Sequence, residues 1–455
     1  MAITRNDVAR SGVVYTNNRK AGFAFFDVRN VKTIILDATE SAPLLHKDEA
    51  LLRNYTSEII QGLSQAAALT GATNIIVAVN ERLSETAAKL SEPLPTGVRL
   101  CSVPDVYPAG DENLLLYFTL GLLLEPGTTL ESVGVAILDV ETAFNLGNLE
   151  RTPVVAKHVD IVGAVKNPCT LCVPLGVTLE DCLEQAGGAT VPNPAYIEND
   201  VMTGRLLPDL DLPVGKTTSA LVVLPDDHII VKRKTDDLNQ TIRHARAVCN
   251  QCARCTELCP RYIMGNPTEP HRAMNALLIG ASKNADAAGN AYCSQCNLCS
   301  YYSCPEGLDP MRVLLGWHLS NASLLKSLFP NPVFVPERAS LYAASRLTST
   351  KRLLQRLQLD QYDSNATLCH NEVHPEQVII SLGQTSDTPA LPLVQAGDAV
   401  SRGQTIAIRK RPADSDTVET GADLHSSIDG TVVKTTPTEI IVSATFQPNV
   451  IETSR

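Results

Sequence analysis

Apolar and polar positions change period several times along this 455-residue chain. VKTIILDA (31–38) and NIIVAVN (74–80) are β-branched runs that predict strands. Between them, HKDEALLRNYTSEIIQGLSQAAALTGA carries helical spacing and stops at Gly71. The three together predict an α/β unit. VRLCSVPDVYPAGDE then reads as a strand entering a loop punctuated by Pro and Gly. LLLYFTLGLLL (114–124) predicts a buried helix or strand.

The pattern shifts after residue 150. VAKHVDIVGAVKNPCTLCVPLG predicts two short strands around a Lys-Asn-Pro turn, and VTLEDCLEQAGG a short helix ended by Gly. That order fits a β-grasp-like module, closed by a hairpin over 219–234 with a Pro-Asp-Asp turn. Residues 237–325 read as mostly helical around two cysteine runs. Residues 326–375 form a connector with the Pro-rich NPVFVPER and a basic helix around TSTKRLLQRLQL, taken as a solvated face. From 376 to 455 apolar and polar residues alternate between turns at AGDAVSRGQ and SIDGTVV, which predicts an all-β, barrel-like domain. The fold class is therefore multidomain, α/β plus α+β. Its expected parts are an α/β domain (1–150), a β-grasp (151–236), a helical domain (237–325), the connector and the β domain.

Composition narrows the function. Apolar residues make up 44% of the chain, ordinary for packed cores, and the net charge is −11. A nucleic-acid partner would need a basic face, and none is expected. The run at 114–124 is too short to span a bilayer, which takes about 20 apolar residues, so no transmembrane segment is expected. MAITRNDVARSGVV has no apolar stretch of the signal-peptide kind, and a cytoplasmic location is the expectation. Thirteen cysteines in a reducing compartment point to metal or redox chemistry rather than disulfides.

Eight of them form two runs. CNQCARCTELCP contains Cys249, Cys252, Cys255 and Cys259 before Pro260. CSQCNLCSYYSCP contains Cys293, Cys296, Cys299 and Cys304 before Pro305. The first spacing is that of bacterial dicluster ferredoxins. Three thiolates two residues apart wrap one face of a cubane, and the fourth reaches the neighbouring cluster. Crossed ligation is expected: Cys249, Cys252, Cys255 and Cys304 on one [4Fe–4S] cluster, Cys293, Cys296, Cys299 and Cys259 on the other. Zinc favours separated C-x2-C pairs and fits these runs poorly. Cys169 and Cys172 should face apart in a strand, and Cys101, Cys182 and Cys369 read as packing residues.

The order of these parts, with VDIVGAVKNPCTLCVPLGVTLEDCLEQAGG, VGKTTSALVVLPDDH, both cysteine runs, AGDAVSRGQ and LHSSIDGTV, resembles the RnfC-like proteins over nearly the whole chain. Within them it is most similar to the PduS-type cobalamin reductases. The resemblance implies a soluble-ligand-binding β-grasp (SLBB), a terminal barrel-sandwich domain and an N-terminal flavin site related to that of the complex I entry subunit. In that site it assigns Glu40, Tyr107, Gly110, Asp111 and Glu112 to FMN. It also implies redox protein partners, a corrinoid enzyme or a microcompartment shell among them, and a bacterial microcompartment as the setting.

Several family positions differ. GVVYTNNRKAGFAFF stands where the family has GVVGAGGAGFPT, so Tyr15, Asn17, Asn18 and Arg19 occupy positions of a glycine loop. A Cβ there blocks close backbone approach to a phosphate. Asp37 and Ala42 depart from NGAECEP, Leu138 and Asp139 replace an Asn pair, and 198–204 departs from GGPMMG. The YPAGDE loop is kept, as are Lys216, Thr217 and Thr218, whose task the pattern does not give. The departures argue against bound FMN. The reading is an iron–sulfur electron carrier between redox partners; the alternative is an NADH- and FMN-dependent cobalamin reductase.

Overall fold

The computed structural model describes residues 3–17, 20–22, 30–83, 97–126, 128–280, 288–289, 292–315, 339–364, 367–369, 373–384, 389–409 and 422–445, with backbone alone at 15–17 and 20–22. Asn18, Arg19 and Phe23 of the altered loop, and NPVFVPER, lie outside these residues.

The N-terminal part is a parallel four-stranded sheet. Its order is Val98–Val103, Asn74–Asn80, Thr33–Ala38, Val135–Asp139. The expected single helix before Asn74 is two, Lys47–Asn54 and Thr56–Thr70, broken at Tyr55, whose φ of −132° is not helical. Gly71 ends the second in the left-handed conformation. LLLYFTLGLLL supplies the helix Glu112–Leu120, which stops at Gly121. Helices Thr56–Thr70 and Val140–Gly147 touch backbone to backbone: a Cβ on Gly62 would lie 1.8 Å from the Ala143 carbonyl oxygen, and one on Gly147 1.9 Å from that of Glu58.

The β-grasp is a six-stranded mixed sheet in the order Arg205–Leu207, Pro194–Glu198, Ala220–Pro225, Ala156–Gly163, Cys169–Pro174, Thr367–Cys369. Its last strand comes from the expected connector and pairs parallel with Cys169–Pro174. The expected 219–234 hairpin is instead strand, turn and helix. His228 accepts a bond from the Ile230 N–H at 3.3 Å and caps the helix Ile229–Thr235. Two residues of its last turn tie it to neighbours: Lys234 Nζ reaches the Gly204 carbonyl at 2.6 Å, and Arg233 donates to the Ser300 carbonyl beside the second cysteine run. The basic helix Thr350–Arg356 is not only a solvated face. Leu353, Leu354 and Leu357 sink into the core shared with Val162, Ile197 and Val222 of the β-grasp.

The C-terminal domain is a two-sheet sandwich. One sheet runs Gln377–Ser381, Glu439–Ala444, Gly430–Thr435, Ala399–Val400, the other Leu391–Pro392, Thr405–Ile408, Leu424–His425. Alternate residues Val378, Ile380, Ile440 and Val442 enter its core, as the period of two requires. Three domains meet at Lys216. Its buried ammonium donates to the Gly12 carbonyl at 2.7 Å and lies 3.5 Å from that of Asp423. Burial and the nearby Arg409 lower its pKa to about 7. The Lys-Thr-Thr segment is thus a strut between domains.

Gly62→Ala is expected to force the two glycine-packed helices apart. It should cost about 1–3 kcal/mol or more, read as a fall in the thermal unfolding midpoint. An unchanged midpoint would contradict the close packing.

Candidate functional site

Both cysteine loops use the same backbone. Gln251 and Ala253 in the first have φ of 57° and 60°; Gln295 and Asn297 in the second have 59° and 65°. These are the same two positions counted from each leading cysteine. A left-handed residue costs an L-amino acid about 1–2 kcal/mol, so four at matched places mark a loop shaped for a purpose. Such turns aim successive N–H groups inward, as anion-binding nests do. The Gln295 N–H lies 3.3 Å from the Cys293 sulfur.

The proline after each run acts on the cysteine before it. A residue preceding proline is driven out of the helical region. Cys259 sits at φ −71°, ψ 122° and Cys304 at φ −77°, ψ 118°, nearly identical extended conformations. The second run has one more residue before its last cysteine. The structure absorbs it in a π-helical turn, Cys299–Ser303, where the first run uses the short α-helix Arg254–Glu257. Pro260 then begins the helix Pro260–Ile263, and the backbone N–H groups of Arg261 and Tyr262 approach the Cys259 sulfur.

The eight thiols fall into two groups. Cys249, Cys252, Cys255 and Cys304 line one cavity with His271, Met274 and Leu308. Cys259 faces Cys293 and Cys296, and Cys299 lies by all three as well as by Cys255. The groups touch where Cys255 and Cys299 pack around Met311. Among the described residues, no three His, Cys, Asp or Glu side chains are drawn tightly enough to hold a single ion. Burial pushes the Cys255 and Cys296 thiols up to about 12 and raises Cys299 well above the usual thiol range, with neighbouring thiols adding to the effect. Thiols so placed ionise only when a metal supplies the compensating charge. The donor set therefore fits polynuclear iron–sulfur chemistry. The two groups differ in setting: Cys252 is exposed, whereas Cys259 and Cys299 are buried.

The kept YPAGDE loop lies against the second group. The Tyr107 hydroxyl donates to the Cys296 carbonyl at 2.9 Å. Asp111 pairs with Arg261, two residues past Cys259, at 2.9 Å to one terminal nitrogen and 3.1 Å to Nε. Asp111 also caps the helix Glu112–Leu120. Gly110 sits close against Asp37: a Cβ there would lie 2.5 Å from Oδ2, so that carboxylate would have to shift. Glu112 occupies the first turn of that helix, near Arg261.

Glu40 is engaged elsewhere. Its two carboxylate oxygens accept from the N–H groups of Asp48 and Glu49, both at 2.9 Å. Asp160 accepts from His46 and Lys47 N–H at 2.7 and 2.9 Å. The N-terminus of helix Lys47–Asn54, a natural anion site, is thus closed by the protein's own carboxylates. It stands at the carboxyl end of the sheet, where the order reverses between Thr33–Ala38 and Val135–Asp139 and ligands bind in such folds. Burial raises Asp37 to about 6 and Glu40 to about 8. Lys47 pairs with Asp48 and Glu141 at 2.9 and 3.3 Å, and Lys157 also pairs with Glu141. Sequence reading missed this network; acids ending two parallel strands, Asp37 and Asp139, were its available signal. Within the stretch in place of the glycine loop, Tyr15–Asn17 pairs antiparallel with Lys20–Gly22. A self-paired backbone among excess carboxylates does not fit a flavin phosphate.

Residues 12–148 match the Nuo51 FMN-binding domain family, 158–204 the SLBB domain, 248–309 the 4Fe-4S dicluster domain and 358–455 the RnfC barrel sandwich hybrid domain. The cobalamin reductase PduS of Citrobacter freundii is 34% identical over 421 residues, 90% of each chain. That of Salmonella typhimurium is 34% identical over 88% of each. This chain belongs to the PduS family. The PduS family architecture makes it an iron–sulfur electron-transfer protein with a 4Fe-4S dicluster domain, as the cysteine runs imply. A component of the ion-translocating oxidoreductase complex of Pasteurella multocida is 26% identical over 52% of this chain and 28% of its own. An NAD+-reducing [NiFe]-hydrogenase structure is looser still, with a TM-score of 0.45 at 16% identity over 72% of this chain and 63% of its own. No helix among the described residues is long and apolar enough to cross a membrane.

Asp111→Asn removes the carboxylate charge paired with Arg261 beside the second thiol group. In an EPR-monitored redox titration of the cluster-loaded protein, one midpoint should rise and the other stay. Two unmoved midpoints would show that the ion pair does not reach either cluster.

Proposed function

We propose that this chain is a flavin-free relay that carries electrons between protein partners through two [4Fe–4S] clusters. Cys249, Cys252, Cys255 and Cys304 would hold one, and Cys259, Cys293, Cys296 and Cys299 the other. Each cluster, when bound, supplies a one-electron site. What carries the reading is two complete thiol sets in contact, beside a crevice whose glycine-loop counterpart is paired with itself. The first set opens to the surface at Cys252 and is the side for a docking redox partner. The YPAGDE loop lies against the second set, where Tyr107 and the Asp111–Arg261 pair hold the thiol loop. The name of the relatives suggests a corrinoid or a corrinoid enzyme as acceptor, and the resemblance a cytoplasmic microcompartment as setting.

The second reading is an NADH- and FMN-dependent cobalamin reductase. It is favoured by the kept YPAGDE loop, which would lead from a flavin to Cys296.

Anaerobic purification with joint assay of iron, sulfide and flavin separates the two. The relay should carry about eight irons and no flavin; stoichiometric FMN would overturn it in favour of the reductase. Under crossed ligation, Cys304→Ser should perturb the EPR signal of the cluster held by the first run and leave the other. Loss confined to the second run's cluster would exclude crossing.

A further inference from the structure

Cys172 lies on the β-grasp strand Cys169–Pro174, directly opposite His158 on the antiparallel strand Ala156–Gly163. As expected, it faces away from Cys169: Cys169 is buried and Cys172 exposed, as a spacing of three in a strand dictates. His158 is 3% exposed. Its Nδ1 is 3.3 Å from Glu141 Oε1, which also accepts the His158 backbone N–H at 2.8 Å. Glu141 is itself anchored by Lys157 and Lys47, which hold its carboxylate well below the usual range against the effect of burial. The ring is walled by Tyr55 and Phe144 at 5.9 and 5.3 Å between centroids. Nε2 is buried with no hydrogen bond of its own, and the polar group left beside the ring is the Cys172 thiol.

Carboxylate, imidazole and thiol thus stand in the order that activates cysteine nucleophiles. We propose that Cys172 is a reactive thiol, activated by Glu141 and His158, that undergoes exchange with low-molecular-weight disulfides of the oxidised-glutathione class. The Cys172 sulfur attacks one sulfur of the disulfide. A new S–S bond forms as the old one breaks, His158 Nε2 keeps the cysteine proton, and the leaving thiolate takes it up. Burial disfavours the charged ring, but Cys172 and Glu141 outweigh it and raise His158 to about 9, so the ring can hold that proton at neutral pH. The other charged or titratable groups facing the site are Lys157, Lys47 and Tyr55, with Glu58 beyond Tyr55.

The test uses cluster-loaded protein without oxygen, with oxidised glutathione or iodoacetamide as probe and peptide mass spectrometry as readout. Cys101, a half-buried thiol whose sulfur contacts only the Ser102 and Phe118 carbonyls among its hydrogen-bond partners, is the internal reference. An ordinary thiol loses about tenfold in rate per pH unit below its pKa. Near pH 6.5 Cys172 should react at least about tenfold faster than Cys101. His158→Gln should remove that advantage while cluster absorbance persists. If that variant does not fold, the wild-type pH profile decides alone. Rates for Cys172 that track those of Cys101 across the range would overturn the proposal.

Discussion

A residue before proline cannot easily be helical, and the cluster region is arranged around that restriction at Cys259 and Cys304. Each cysteine run curls three thiols around one side of a loop. The fourth must leave the loop, and the Cys-Pro bond sends it out in an extended conformation. Its sulfur then meets the thiols of the other run, so neither set is complete without both loops. The π-helical turn after Cys299 shows how strict the requirement is: an extra residue is accommodated by widening the turn, and the last cysteine keeps its geometry.

The surrounding domains hold this pair of loops in place rather than merely preceding or following it. Arg233 of the β-grasp binds the Ser300 carbonyl, Tyr107 the Cys296 carbonyl, and Asp111 pairs with Arg261. Buried charge-assisted contacts of this kind favour a single geometry, and a fixed geometry suits electron transfer, where little should move. Lys216 and the Thr367–Cys369 strand do the same for the outer domains.

The sheet crevice follows a different logic. Its strand order and helix N-terminus are those of an anion site, yet Glu40 and Asp160 supply the acceptor oxygens from within. The dipole is satisfied and the helix kept, while the place a phosphate would take is filled. The helix N-terminus is satisfied from within the protein, and a cap stabilises a helix whatever its source.

The sequence by itself determined the order of the domains, the parallel strands at 31–38 and 74–80, the sandwich pattern after residue 376 and the spacing of the two cysteine runs. These are carried by local period or by spacing along a few residues, which a chain cannot hide. It was less clear where a local signal had two solutions. The 219–234 stretch could continue as a hairpin or turn into a helix, and a cap from His228 decided it. The stretch around Thr350–Arg356 was basic on its face and apolar beneath, and only the β-grasp core shows which side matters. Tertiary structure alone decided that Glu40 caps a helix, that Lys216 ties three domains and that Glu141, His158 and Cys172 align. Each joins residues distant in sequence, and their energy comes from burial and charge pairing that exist only once the chain has folded.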